Sequence, residues 1–204
     1  MASGNGTLFE TLVTRCRAGE LDAEPVLLIS SSPEAPVLQR ARRLDVPSVV
    51  LERKTFAAGE EFTKTMLNCL RERNADLVCL AGYLKLIPSA VVQAFQHRML
   101  NIHPALLPAF GGKGMYGMRV HEAVIEYGVR ISGATVHLVD DEYDHGPVIL
   151  QRAVFVRQDD TPDSLSQRVH EIEHDLYVDA VRLFADDRVA VQGRRVTILP
   201  KRST

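Results

Sequence analysis

Met99-Leu-Asn-Ile-His-Pro-Ala-Leu-Leu-Pro108 is a short apolar strand that delivers an asparagine and a histidine two residues apart and then stops at a proline. Residues i and i+2 of an extended chain project to the same side, so Asn101 and His103 can point into one pocket. Pro104 ends the strand and biases His103 away from helix. An imidazole can pass a proton near neutral pH. A carboxamide can donate a hydrogen bond to a developing oxyanion. On this spacing alone, a turn capped by Asn and His ahead of a proline explains the pair at least as well.

Upstream, apolar runs alternate with helical patterns. Pro25–Ser30, Ser48–Leu51 and Asp76–Gly82 read as buried strands. Leu8–Ala18, Ser32–Leu44, Glu60–Arg73 and Pro88–Phe95 read as helices. The alternation predicts an α/β fold, a Rossmann-like three-layer sandwich with a mostly parallel sheet. Ligands of such sheets bind at the carboxyl ends of the strands. That edge would carry the loops Ser3–Thr7, Tyr83–Ile87 and Asn101–Pro108. Ser3-Gly-Asn-Gly-Thr7 feeds a helix N-terminus, where free backbone N–H groups can hold an anion. Such a loop normally follows a strand, and the residues before Ser3 are too few to form one.

Downstream, Ala109–Met118 is glycine-rich and reads as an irregular loop, followed by a helix over Val120–Tyr127. Ile131–Val139 alternates Gly133, Thr135 and His137 with apolar residues, which predicts a half-buried strand. Gly146–Val156 is its antiparallel partner. Thr161 as N-cap, Pro162 at N1 and Ser164 at N3 open a helix that runs to about Ala185. Residues 188–199 form a terminal hairpin turning near Gln192-Gly193, which completes an antiparallel C-terminal extension.

The turn between the two strands, Asp140-Asp-Glu-Tyr-Asp-His145, is acidic and by composition a solvated hairpin. Crowded carboxylates repel, so a buried member is expected to have a raised pKa. The turn lacks the ligand alternation and glycine of a calcium loop, and no metal is expected. Asn101, His103 and His137 could converge on Asp144, giving an oxyanion donor, an acid/base and a carboxylate that orients it. No G-x-S-x-G elbow is present, so direct transfer to a substrate nucleophile fits better than a covalent intermediate. Glu171-Ile-Glu-His174 lies mid-helix on what reads as a solvated face, although a carboxylate there could bond a sugar diol.

Composition sets outer bounds. The 204 residues are 46% hydrophobic and 25% charged with a net charge of −2, enough for a sizeable core. No basic run supports nucleic acid as the main partner. Arg194-Arg195 and Lys201-Arg202 read as a solvated tail. Cys16, Cys69 and Cys79 are scattered, which argues against a disulfide framework or zinc site. No run approaches the roughly 18 apolar residues of a membrane span. The polar N-terminus lacks a signal-peptide core, so the cytoplasm is expected.

Taken together, Asn101–Pro108, Gly133-Ala-Thr-Val-His137 and Asp144-His-Gly-Pro-Val-Ile149 resemble the folate-dependent formyltransferases. Ser3–Thr7 is similar to the phosphate loop of the branch that acts on glycinamide ribonucleotide. Glu173-His174 with Tyr177 resembles that branch's E-H-x-x-Y helix, and Gly111–Gly117 looks like a variant insertion. The resemblance spans about residues 3–186. It implies one domain over 1–204, with a nucleotide-binding half (1–103), a folate-binding and catalytic half (104–186) and a tail (187–204). It implies Asn101, His103 and Asp144 as the catalytic trio. The ribonucleotide phosphate would sit on the backbone of Gly6, Thr7 and Leu8, and Glu173 would bind the ribose. The pterin of 10-formyltetrahydrofolate, the co-substrate, would lie between Leu84, Lys85, Leu86 and Ile87 and the loop of Val139, Asp140, Asp141 and Asp144. No metal, nucleic acid or membrane is implied, and a monomer or homodimer is expected. The chain departs from the family where Leu8 replaces the usual Asn and Lys85 a frequent Arg. It also starts at the phosphate loop, so the expected fold lacks the family's first strand. A formyltetrahydrofolate hydrolase and a non-catalytic folate- or nucleotide-binding relative are the competing readings.

Overall fold

Helices and strands alternate as far as residue 103, beginning with α1 (Thr7–Arg17) and β1 (Leu28–Ser30). The computed structural model describes residues 1–201, so Arg202 and the end of the tail lie outside the described residues. The chain forms two compact units, Met1–Leu100 and Asn101 onward, divided within β4 (Met99–His103).

In the first unit β1 pairs in parallel with β2 (Ser48–Val50), Leu28 opposite Ser48. All three β1 residues are buried, as a continuous apolar run requires. Phe9 and Val13 of α1 pack with Leu28 and with Val37 and Ala41 of α2 (Val37–Arg43). α2 starts later than its pattern predicts. Ser30 Oγ donates to Ser32 O (2.8 Å) and Glu34 N–H to Ser32 Oγ (3.3 Å), local bonds that compete with a helical turn. A 3₁₀ turn at Arg53–Thr55, unread in the sequence, precedes α3 (Gly59–Glu72). Phe62, Met66 and Leu70 make the buried stripe of α3. β3 (Val78–Leu80) and α4 (Ser89–Ala94) complete this unit.

The first residues correct the expectation of a chain that opens on a loop. Met1 and Ala2 are buried, and Ala2 bridges Ser30 in parallel. On one side Ala2 N–H donates to Ile29 O (3.0 Å) and Ser31 N–H to Ala2 O (3.3 Å). On the other, Ala81 N–H donates to Met1 O (2.9 Å) and the Met1 amino group to Cys79 O (2.6 Å). A short extended segment thus runs between β1 and β3, pairing buried backbone groups that would otherwise be orphaned. Burial pushes the Met1 amino pKa down to about 6.

The second unit carries β5 (Ile131–Leu138) and β6 (Val148–Phe155), antiparallel from Ile131 opposite Phe155 to Val136 opposite Leu150. A bulge between Val136 and His137 shifts the register. β5 is buried on both faces after Ile131, not half-buried as its alternation suggests. One face packs on α6 (Pro162–Ala185), and the polar face lies under the loop after β4. α6 begins at the expected N-cap, and the structure adds a capping box there, with Thr161 and Ser164 bonding each other's backbone N–H. α5 (Met118–Tyr127) ends at Gly128, whose φ of 77° is left-handed. The hairpin is β7 (Val189–Gln192) and β8 (Arg195–Ile198). The fold is α/β with open sheets, the central one mostly parallel. Among the described residues no helix is long and apolar enough to cross a membrane.

Candidate active site

β4 places Asn101 and His103 on one side, as their spacing requires, and His103 is buried. Thr135 and Gln151 tie down the loop that follows. Thr135 Oγ donates to Ala105 O (2.6 Å) and accepts from Leu107 N–H (3.0 Å). Gln151 Nε2 donates to Leu107 O and to Thr135 Oγ, both at 3.0 Å. Two residues along the same face of β5 is His137.

Asp144 is the point on which these groups converge. Its Oδ2 stands 3.3 Å from His103 Nδ1, and its Oδ1 stands 3.7 Å from His137 Nε2. Asn101 Nδ2 lies 3.0 Å from His137 Nε2 and donates to Asp144 Oδ1 at 3.4 Å. Gly112 N–H donates to Asp144 Oδ2 at 3.0 Å. Gly111 has no room for a side chain, since a Cβ would come within 2.5 Å of Leu107 Cδ2 and 3.2 Å of Asp144 Cβ. The opening glycines of the 111–117 loop are therefore part of the Asp144 setting.

Each ring has a legible donor pattern. His137 Nδ1 faces Leu138 O at 2.8 Å; a carbonyl only accepts, so Nδ1 carries hydrogen and Nε2 accepts from Asn101. His103 Nε2 faces Phe110 O at 2.8 Å while Nδ1 faces the carboxylate. Both of its nitrogens look at acceptors, an arrangement that suits two N–H donors.

The raised carboxylate pKa expected in the acidic turn is not found at its buried member. Burial pushes Asp144 up, but the hydrogen bond from His103, the His103 charge and the Gly112 N–H together hold it well below the usual carboxylate range. These partners come from outside the turn, so crowding within it does not set the balance. Asp144 itself has a left-handed φ of 54°.

Two buried histidines fell outside the predicted trio. His137 had a signal, the alternation that puts it beside Thr135. His121 on α5 had none, because its helix position reads as core. Burial lowers its pKa, Glu173 raises it and His103 lowers it, and its Nδ1 has no hydrogen-bond partner among the described residues. Glu173 is mostly buried and accepts from His170 Nδ1 at 3.2 Å, which corrects the solvated-face reading at that residue, while Glu171 is exposed. Of the residues expected at the folate in this unit, Val139 and Asp140 are half-buried and Asp141 is exposed.

In the first unit Gly6 caps α1 with a φ of 74° and no side-chain bond. A Cβ there would meet Val37 Cγ2 at 2.2 Å, so glycine is required twice over. Thr7 is half-buried and Leu8 buried. Ser3 joins this loop to the end of β3, its N–H donating to Gly82 O (3.0 Å) and its Oγ accepting from Leu84 N–H (3.1 Å). Leu84 and Leu86 are half exposed and Lys85 exposed, whereas the Ile87 side chain is core.

The formyl transferase family model matches residues 1–181. The chain belongs to the formyl transferase family. A chloroplastic phosphoribosylglycinamide formyltransferase from Arabidopsis thaliana is 43% identical over 92% of this chain; the chain spans 64% of that relative's length. The phosphoribosylglycinamide formyltransferase of Bacillus subtilis (strain 168) is 38% identical over 89% of this chain and 90% of its own. The crystal structure of glycinamide ribonucleotide transformylase 1 from Symbiobacterium toebii superposes with a TM-score of 0.91 at 39% identity, covering 98% of this chain and 92% of that one. For a formyl transferase, the Asn101–His103–Asp144 arrangement is chemically apt: donors for an oxyanion, a ring able to pass a proton and a carboxylate to orient it.

Proposed function

We propose that the chain transfers the formyl group of 10-formyltetrahydrofolate to the amine of glycinamide ribonucleotide, a step of purine biosynthesis. The observation that carries this reading is the Asp144 carboxylate facing His103 and His137 beside the Asn101 amide, in a chain of the formyl transferase family. The amine nitrogen bonds to the formyl carbon and a tetrahedral oxyanion forms. His103 donates toward that oxyanion and supplies the proton that N10 takes as its bond to carbon breaks. Asp144 keeps the ring oriented and helps return the proton lost by the amine. The Asn101 N–H groups point at His137 and Asp144; the longer bond, 3.4 Å to Asp144, is the one that yields to the oxyanion.

On the same reading, the α1 N-terminus at Gly6, Thr7 and Leu8 takes the phosphate and Glu173 the ribose. The folate takes Leu84, Lys85, Leu86 and Ile87, and Val139, Asp140 and Asp141. Exposed Leu84 and Leu86 suit a pterin's apolar faces. The setting is cytoplasmic, as a monomer or homodimer. The test supplies 10-formyltetrahydrofolate with and without glycinamide ribonucleotide and follows loss of the formyl group. Amine-dependent loss is expected. Equal loss without the amine supports a hydrolase, and no loss under either condition a binding protein; either result overturns the reading.

A further inference from the structure

Arg194 sits in the turn between β7 and β8, in a stretch that sequence composition marks only as basic tail. Its Nη2 donates to His145 O at 2.6 Å, and its Nη1 lies 3.2 Å from His145 Nε2. The other ring nitrogen, Nδ1, is 2.6 Å from Asp140 Oδ2. A carboxylate accepts, so Nδ1 carries the hydrogen and Nε2 offers the lone pair that an arginine N–H can bond. Asp140 Oδ1 in turn accepts from Glu142 N–H at 3.0 Å. A guanidinium–imidazole–carboxylate chain therefore spans the loop from residue 140 to residue 145.

This loop presents Asp144 in a left-handed conformation, φ 54°, which aspartate adopts as a single residue more readily than most side chains. On the far side, Gly146 is pressed against Leu138 O, which a Cβ would approach to 1.9 Å. Between these two points lies His145, and its carbonyl is where Arg194 holds on. We propose that Arg194 is a positioning residue: the C-terminal hairpin reaches back through it to fix the turn that aims Asp144 at His103 and His137. Arg194 touches no reacting group. The inference rests on the role given to Asp144 above.

Three variants test it: Arg194→Ala, Arg194→Lys and the neighbouring Arg195→Ala. For Arg194→Ala, kcat is expected to fall about tenfold with KM for glycinamide ribonucleotide within about twofold, because a displaced general-acid/base partner affects the chemical step more than ground-state binding. Arg194→Lys should recover part of the loss, since an ammonium can keep the carbonyl bond. Arg195→Ala should match the parent. Backbone hydrogen exchange of the 139–147 peptide should quicken in Arg194→Ala and stay at the parent rate in Arg195→Ala. An unchanged kcat in Arg194→Ala, or an equal loss in Arg195→Ala, overturns the proposal. Should the parent itself transfer no formyl group, the functional reading falls and exchange alone judges the clasp: quicker exchange confined to Arg194→Ala supports it, and unchanged exchange overturns it.

Discussion

Asp144 Oδ2 stands 3.3 Å from His103 Nδ1, and the opposite ring nitrogen stands 2.8 Å from Phe110 O. The ring is gripped between a carboxylate on a turn and a carbonyl on a glycine-rich loop, so its orientation depends on segments far apart in sequence. The carboxylate contributes charge as well as shape, and a change of one without the other separates the two.

Asp144→Asn keeps the outline of the side chain and removes the charge. We expect turnover to fall at least about 100-fold, the range of general acid–base contributions. Circular dichroism at neutral pH should match the parent. A near-normal kcat would take Asp144 out of the reaction.

Acid should act through two carboxylates. Asp144 is held low as described, and Asp160 is held low first by the bidentate Arg168, whose Nη2 lies 2.6 Å from Oδ1, and then by Arg157 N–H and Ser164 Oγ. Each folded pKa lies below the ordinary 3.8, so just below that pH the unfolded chain binds more protons than the folded one. Stability is then present above about pH 4 and is lost as pH falls toward the folded values. Melting temperature should drop steeply from about pH 4 downward. In Asp160→Asn that slope should be shallower. A parallel curve would mean that the Arg168 pair does not differ between folded and unfolded states.

The parts of this molecule that were legible in sequence are those whose cause is local. Leu28–Ser30 reads as a strand because burial on both faces demands an unbroken apolar run. Thr161, Pro162 and Ser164 announce α6 because an N-cap followed by proline at N1 is a short-range device. Asn101 and His103 share a side because strand periodicity is two. The rest depends on distant partners. Met1 and Ala2 enter the sheet through backbone pairing that two residues cannot signal. Thr135 and His137 look like a solvent face until the loop that covers them is known. The depressed pKa of Asp144 comes from His103 on β4 and from Gly112, neither of which belongs to the acidic turn itself.

Gly133 should be irreplaceable in the same long-range sense. An added Cβ would lie 2.1 Å from Arg152 O and 2.9 Å from Leu106 Cδ2, so β6 and the loop after β4 would both have to move. We expect Gly133→Ala to lose about 1–3 kcal/mol, the usual range for overpacking. Gly4→Ala, with nothing within 4 Å and no left-handed φ, should change stability by less than about 0.5 kcal/mol. Urea midpoints of the two variants decide this, and equal midpoints would contradict the packing described at β5.

Thr135 is the remaining test, because it joins stability to catalysis through one hydroxyl. The residue is fully buried, and its Oγ serves Ala105 O, Leu107 N–H and Gln151 Nε2. Valine keeps the volume and the β-branch that suits a strand, so Thr135→Val removes little beyond the hydrogen bonds. Gln151 still bonds Leu107 O, but Ala105 O and Leu107 N–H lose the partner seen here. Leaving such groups buried should cost about 1–3 kcal/mol. Since the loop they anchor begins directly after His103 and Pro104, kcat should fall as well, and Thr135→Ser should restore both quantities in large part. If Thr135→Val is less stable yet turns over normally, the hydroxyl supports the fold alone and His103 is positioned by Asp144 and Phe110 without it.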